Sequence, residues 1–245
     1  MSSVVLFVAF PYVAMILAAL AGIYRYRADR FSYSSQSSQF LENRLEFWGA
    51  VPWHYGILLI LTAHLLALLF PAAWGHLIGA PIRLYVLEVT GLALALITLA
   101  GLTILILRRL TNARVLVVTT VMDWVLLAAL AVQVGLGFWV AFFYRWGADW
   151  YLHTAVPWLI SLFTLHPRID YVVGLPAVVQ THMLLGFGII LLFPFTRLVH
   201  LVTVPISYLW RPYQVVIWYS RRWQPVLTET PKAAAMAPGS SRTGL

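Results

Sequence analysis

The sequence contains no cysteine and few charged residues. Of its 245 residues, 10% are charged and 62% are hydrophobic, and the mean hydropathy is +0.85. The absence of cysteine excludes disulfide bonds, thiolate metal sites, iron–sulfur clusters and covalently attached haem c. A soluble domain usually carries about 25% charged residues, so this composition indicates a membrane protein. A metal centre in this chain must therefore use His, Met or acidic ligands.

Five apolar runs are long enough to cross the roughly 30 Å hydrocarbon core of a bilayer at about 1.5 Å per residue. They predict an all-α membrane protein built as a bundle of five transmembrane helices. The predicted spans are residues 4–24, 50–71, 84–107, 115–144 and 178–204. Residues 1–224 are interpreted as one transmembrane domain. Residues 225–245, rich in Pro, Ala, Ser and Gly, are interpreted as a disordered cytoplasmic tail.

Basic residues are concentrated on one side of the predicted bundle. Of the 16 Lys and Arg residues, all but Arg83, Arg145 and Arg168 fall after spans one and three or toward the C-terminus. The positive-inside rule then puts the N-terminus outside and the C-terminus in the cytoplasm. This predicts a multi-pass protein of a bacterial or archaeal inner membrane, whose net charge of +8 reflects topology and not a nucleic-acid partner. In the long outer loop, the apolar segment 150–165 predicts a short helix at the membrane interface.

Four histidines lie within the second and fifth predicted spans, where titratable groups are costly and mark functional sites. On a continuous helix, His182 and His200 share one face about 27 Å apart, while His54 and His64 are about 15 Å apart. The two spans run in opposite directions. The spacing therefore predicts two pairs between the helices, His54 with His200 toward the cytoplasm and His64 with His182 toward the outside.

Two imidazoles from facing helices can bind one haem iron, and bundle cores hold such cofactors. The spacing predicts two stacked b-type haems about 20 Å apart. A dinuclear metal centre is disfavoured, because its ligands would have to converge. The alternative from another class is a transporter or sensor that uses the histidines as an ion or proton relay, without haem.

Several motifs resemble the respiratory nitrate reductase gamma subunit family. Residues 53–58, Trp-His-Tyr-Gly-Ile-Leu, followed by His64, resemble the second span of that family. Residues 191–200, Leu-Leu-Phe-Pro-Phe-Thr-Arg-Leu-Val-His, resemble its fifth span. The resemblance covers most of residues 5–218 and includes all four membrane histidines.

The resemblance implies a di-haem cytochrome b that anchors a molybdenum catalytic subunit and an iron–sulfur subunit at the cytoplasmic face. It implies that His64 and His182 bind a distal haem, near which quinol from the membrane pool is oxidised. It also implies that His54 and His200 bind a proximal haem beside the iron–sulfur subunit. The alternative within this class is the cytochrome b subunit of a related molybdenum oxidoreductase, for example a nitrite-oxidising enzyme.

One departure from the family pattern concerns the quinol site. The quinol site of the family includes a lysine, whereas the single lysine of this chain is Lys232. At the outer end of span three, Arg83 or Tyr85 is a candidate replacement donor. Together with His64 and Glu88, these residues form the predicted quinol site.

Charged residues at the cytoplasmic ends of the spans are candidate contacts for haem propionates, because a guanidinium matches carboxylate geometry. The candidates are Arg109, Arg114 and Arg197, together with Arg108. Asp123, a carboxylate at membrane depth in span four, is interpreted as a structural partner for an arginine.

Overall fold

A computed structural model of the chain describes residues 2–29 and 41–202. Within these residues the fold is helical, with no β-strand, and five helices are long and apolar enough to cross a membrane. The predicted fold class is thereby confirmed. The helices of this part of the chain are α1 (Val5–Ala28), α2 (Arg44–Leu69), α3 (Pro71–Ile78), α4 (Pro81–Thr111), α5 (Ala113–Val117), α6 (Val121–Phe143), α7 (Gly147–His153), α8 (Ala155–Phe163), α9 (Asp170–Val173) and α10 (Ala177–Leu192). The membrane-spanning helices are α1, α2, α4, α6 and α10.

The fourth span begins later than its apolar run predicts. The run from residue 115 is interrupted after the short helix α5, and α6 begins at Val121. The Thr120 hydroxyl accepts a hydrogen bond from the Asp123 N–H, and the Asp123 carboxylate accepts one from the Thr120 N–H. This reciprocal capping box satisfies two backbone donors and fixes the start of the helix. The predicted start at residue 115 is therefore wrong.

The continuous helix predicted over residues 178–204 is also wrong in its described part, residues 178–202. The α-helical part of the fifth span is α10, which is followed by two 3₁₀ turns, Phe193–Phe195 and Arg197–Leu201. Between them Thr196 is extended, with φ −120° and ψ 178°. The chain thus leaves the helix axis just before the last of the four membrane histidines.

Pro194 explains this break, because a proline has no N–H for the helix and its ring clashes with the preceding turn. Thr196 then caps the second 3₁₀ turn, where its hydroxyl accepts a hydrogen bond from the Leu198 N–H. His182 and His200 consequently lie on different elements. The shared helix face and the separation inferred from a continuous helix do not apply to them.

One core among the described residues joins α2, α4 and α6. Trp53, Leu102, Leu127 and Val134 are buried there together. The axes of α2 and α4 approach closely at Gly101, where a Cβ atom would lie 2.6 Å from the Trp53 backbone nitrogen. Small residues allow such close approach between membrane helices. This core brings the helix that carries His54 and His64 against the helices that line the site described below.

The second core anchors the long loop between α6 and α10. Trp158 of α8 is buried against Phe7 of α1 and Phe187 of α10. Its indole N–H donates to the Phe7 carbonyl at 3.1 Å, and the Tyr12 hydroxyl donates to the Leu162 carbonyl at 2.8 Å. The segment predicted as one interfacial helix is therefore two short helices, α7 and α8. The second of them inserts its tryptophan into the bundle.

Candidate functional site

His54 and His200, the proximal pair, face each other across a cavity of about 180 Å³. His54 belongs to α2 and His200 to the 3₁₀ turn Arg197–Leu201. Their ring centres are 6.2 Å apart, and their planes make an angle of 73°. Two axial metal–nitrogen bonds of about 2 Å, each extended by about 1 Å to the ring centre, place two axial imidazoles about 6 Å apart. The pair is therefore spaced as two axial ligands of one metal ion.

All four membrane histidines direct Nδ1 at a backbone carbonyl oxygen. The partners are Ala50 for His54, Ile60 for His64, Gln133 for His182 and Arg197 for His200, at 2.7, 2.8, 3.1 and 2.6 Å. A carbonyl oxygen only accepts hydrogen bonds, so Nδ1 carries a proton, and in the neutral ring the lone pair is on Nε2. That tautomer binds metals through Nε2, and the carbonyl group bound to Nδ1 orients the ring. His166 makes the same bond to Thr164 in an exposed loop, so the facing arrangement of His54 and His200, and not the bond alone, distinguishes the site.

His64 and His182 are the predicted distal pair: His64 lies on α2, toward the end opposite His54, and His182 lies on α10. The His182 ring packs on α6, where a Cβ atom built on Gly137 would lie 3.0 Å from its Cε1. Beside it, the buried side-chain oxygen of Gln133 has no hydrogen-bond partner among the residues that the structure describes. The close packing of the His182 ring on Gly137 and the unpartnered Gln133 oxygen are compatible with a planar group bound here.

The donors that the structure describes do not form one cluster. In the described ranges, no group of three or more His, Asp or Glu side chains is arranged to hold a metal ion. A haem needs only one or two protein ligands, because the porphyrin supplies four nitrogens, whereas most other metal centres need three or more protein ligands. The donor set therefore fits haem binding by pairs of imidazoles.

Arg197 and Asp123 connect the proximal pair to α6. Arg197 Nε lies 2.6 Å from Asp123 Oδ1, and Arg197 Nη2 lies 2.8 Å from Asp123 Oδ2. The same guanidinium donates to the Val118 carbonyl at 3.2 Å. The structural ion pair predicted for Asp123 is confirmed, and it holds the turn that carries His200.

Arg108 lies on the wall of the proximal cavity and is buried, with 1% of its side chain exposed. Its Nε donates to the Glu42 carboxylate at 2.8 Å, and its Nη2 contacts Glu46 Oε2 at 2.6 Å. The Glu42 carboxylate also accepts the backbone N–H groups of Leu45 and Glu46, at the start of α2. Burial raises the pKa of Glu42, but the hydrogen bonds from Leu45 and Arg108 outweigh it and hold that pKa below its usual value.

The structure distinguishes the arginines predicted to contact propionates. Arg109 lines the proximal cavity and, among the described residues, has no carboxylate within ion-pair distance. Arg108 and Arg197 also line the cavity, but each binds a protein carboxylate. Arg114 is exposed on α5 and does not line the cavity. Arg109 is therefore the best placed of these arginines to meet an added negative charge.

At the distal end, two of the predicted quinol residues hold the loops together. Arg83 donates from Nε to the Leu77 carbonyl at 2.7 Å and from Nη2 to the His76 carbonyl at 2.9 Å. These bonds satisfy carbonyl groups at the end of α3. Glu88 accepts the Ala148 N–H at 2.7 Å. The Tyr85 side chain, by contrast, is exposed on α4.

The sequence reasoning missed Tyr151, which contacts the distal pair from α7. Its ring centre lies 5.1 Å from that of His64 with an angle of 71° between the planes, and its hydroxyl donates to the His64 carbonyl at 3.3 Å. Burial raises the pKa of Tyr151 to about 12, so the hydroxyl stays a donor at neutral pH. The only signal was an aromatic residue in an apolar loop segment, which does not specify a contact 87 positions away.

The fold and the site define a five-span helical membrane protein with one facing pair of histidines, His54 and His200, and two further histidines in the spans, His64 and His182. The chain belongs to the nitrate reductase gamma subunit family, whose members are membrane cytochrome b subunits, because the family model matches residues 3–219. The resemblance predicted from the motifs is thereby confirmed.

Three relatives illustrate the similarity. The chain is 38% identical over 223 residues to the nitrate reductase-like protein NarX of Mycobacterium tuberculosis. The aligned residues make up 89% of this chain and 34% of NarX. It thus spans about a third of the length of that relative. It is 34% identical over 218 residues to the respiratory nitrate reductase 2 gamma chain of Escherichia coli, covering 84% of this chain and 93% of the relative. It is 29% identical over 219 residues to the nitrate reductase gamma chain of Bacillus subtilis, with coverages of 88% and 98%. The chain is a multi-pass protein of a bacterial inner membrane.

Proposed function

We propose that this chain is the membrane-anchoring, quinol-oxidising cytochrome b subunit of a nitrate reductase complex, and that it holds two b-type haems. His54 and His200 would hold the proximal haem, and His64 and His182 the distal one. When bound, each haem supplies an iron that exchanges one electron, which links quinol at one membrane face to an iron–sulfur subunit at the other. The observation that carries the proposal is the proximal pair, with its 6.2 Å ring spacing and both Nδ1 atoms bound to carbonyl groups.

The proposed orientation places the N-terminus and the distal pair outside and the proximal pair toward the cytoplasm. The distribution of basic residues supports it. The iron–sulfur and molybdenum subunits then dock on the cytoplasmic face, and the proton-releasing oxidation of quinol takes place at the outer face. The segment 208–222, proposed as part of the docking surface because it is basic and aromatic, lies outside the described residues.

The residues of each end have distinct roles in this proposal. Arg109 neutralises a propionate at the proximal site, because it is the cavity arginine not committed to a protein carboxylate. At the distal end His64, Arg83, Tyr85 and Glu88 border the quinol site. Of the two candidate donors, Tyr85 is favoured over Arg83, because the Arg83 guanidinium already binds two carbonyl groups.

The direct test is a pyridine haemochrome assay on the purified chain, together with a dithionite-reduced minus oxidised spectrum. We expect two b-type haems per chain. A single haem would contradict one of the two pairs. Folded, colourless protein from cells with an adequate haem supply would contradict the proposal and favour an ion or proton relay.

Gly137 provides a finer test of the distal site. In Gly137→Ala the new methyl group lies against the His182 ring and forces it to move by a few tenths of an ångström, because the unrelaxed distance to Cε1 is only 3.0 Å. We expect a changed electron paramagnetic resonance signal of the distal haem and an unchanged proximal signal. Gly135→Ala on the same helix is the matched control, because nothing lies within 4 Å of its added Cβ. Identical spectra for the two variants would show that His182 does not bind the distal haem in this position.

A further inference from the structure

Helix α7 is fastened to the distal end of the bundle at two points. Toward its N-terminus, the Ala148 N–H donates to the carboxylate of Glu88 on α4. One turn later, Tyr151 donates from its hydroxyl to the carbonyl of His64 on α2. The helix therefore bridges the two spans that enclose this end of the site.

The residue before α7 has an unfavourable backbone conformation, which the contacts of α7 help to hold in place. Trp146 has a φ of 64°, in the left-handed region that non-glycine residues rarely adopt. Such a conformation is unfavourable and persists only where the surroundings fix it. The chain enters α7 through a strained residue, and contacts further along the helix hold it in that path.

Tyr151 contacts His64 in two ways that act on its orientation. The two rings meet edge to face at 5.1 Å, which limits rotation of the imidazole. The hydroxyl fixes the backbone carbonyl of the same residue, while the imidazole Nδ1 binds the Ile60 carbonyl one turn earlier. Ring and backbone of His64 are thus held from outside the helix as well as from within it.

We propose that Tyr151 is a positioning residue for the distal site: through α7 it sets the ring orientation of His64, and Glu88 supports it from the other end of that helix. This inference rests on the proposed function, because it takes His64 as a haem ligand. Outer-shell groups that orient an axial ligand tune the electronic properties of the metal. The role assigned to Glu88 is therefore that of an anchor for α7.

The test measures the midpoint potential and the electron paramagnetic resonance signal of each haem in the purified complex. Tyr151→Ala removes ring and hydroxyl, and Tyr151→Phe removes the hydroxyl alone. We expect both to shift the distal potential, Tyr151→Ala more strongly, with the proximal haem unchanged. Glu88→Ala should shift the distal signal in the same sense as Tyr151→Ala, because both release α7. Tyr24→Ala, on an exposed residue of α1, is the control and should change neither haem.

The possible failures are distinguishable. If the wild-type complex holds two haems and the distal potential is the same in Tyr151→Ala and wild type, the positioning role is wrong and the proposed function stands. If Tyr151→Ala does not accumulate, Tyr151→Phe decides, and an unchanged distal signal in it overturns the inference. If the wild-type complex lacks a distal haem, the proposed function itself fails.

Discussion

We expect His64→Ala and His182→Ala each to leave one haem per chain in place of two, and quinol-dependent nitrate reduction by the complex to fall to background. The reason is that the distal haem would be held by these two imidazoles, and each variant removes one of them. Nitrate reduction driven by an artificial dye, which reaches the partner subunits directly, should persist in both variants. The measurement compares haem content with the two activities in membranes that contain the whole complex.

His166→Ala is the control for these variants. His166 has the same Nδ1 contact with a backbone carbonyl, at 2.7 Å, but lies in an exposed loop. It should keep both haems and both activities. A His64 or His182 variant that retained two haems would show that the distal pairing is wrong.

Arg108→Leu should destabilise the protein by about 3 kcal/mol, because removing one partner of a buried ion pair leaves the remaining charge uncompensated. The figure is the lower end of the usual range, since the Glu42 and Glu46 side chains are 17% and 23% exposed. Denaturation in mixed detergent measures the change. Arg114→Leu, which removes an exposed arginine of α5, is the control and should cost less than about 0.5 kcal/mol.

A combined variant separates lost packing from uncompensated charge. Adding Glu42→Gln and Glu46→Gln to Arg108→Leu removes both signs of charge and should recover much of the lost stability. In the wild type, the lowered pKa of Glu42 means that its stabilising effect is complete above its unfolded-state pKa and is lost as the pH falls through the lowered value. If the triple variant were no more stable than Arg108→Leu, the charge explanation would be wrong.

The five spans and the four histidines were predictable because both depend on local properties of the chain. A run of about 20 apolar residues identifies a span, whatever it packs against. The pairing of His54 with His200 followed from the antiparallel course of two such spans. These inferences needed no knowledge of long-range contacts.

Features that depend on partners distant in the sequence were not predictable. Nothing in the sequence near Arg108 shows that Glu42, 66 positions away, accepts its hydrogen bond. The use of Glu88 to anchor α7 and the contact of Tyr151 with His64 are of the same kind. The break in the fifth span, in contrast, had a local signal in Pro194. Because the run is apolar on both sides of this proline, it was predicted as one continuous helix.

The interrupted fifth span has a consequence for how the protein accommodates membranes of different thickness. The 16 residues of α10 span about 24 Å, less than the roughly 30 Å hydrocarbon core, so mismatch at this helix is accommodated by local thinning of the bilayer and by rearrangement of the flanking residues. If the helix continued past Leu192, His200 would move with it. Here Thr196 separates His200 from α10, and the ion pair between Arg197 and Asp123 ties it to α6. We therefore expect the distance between His54 and His200 to stay the same when the fifth span adapts to a bilayer of different thickness.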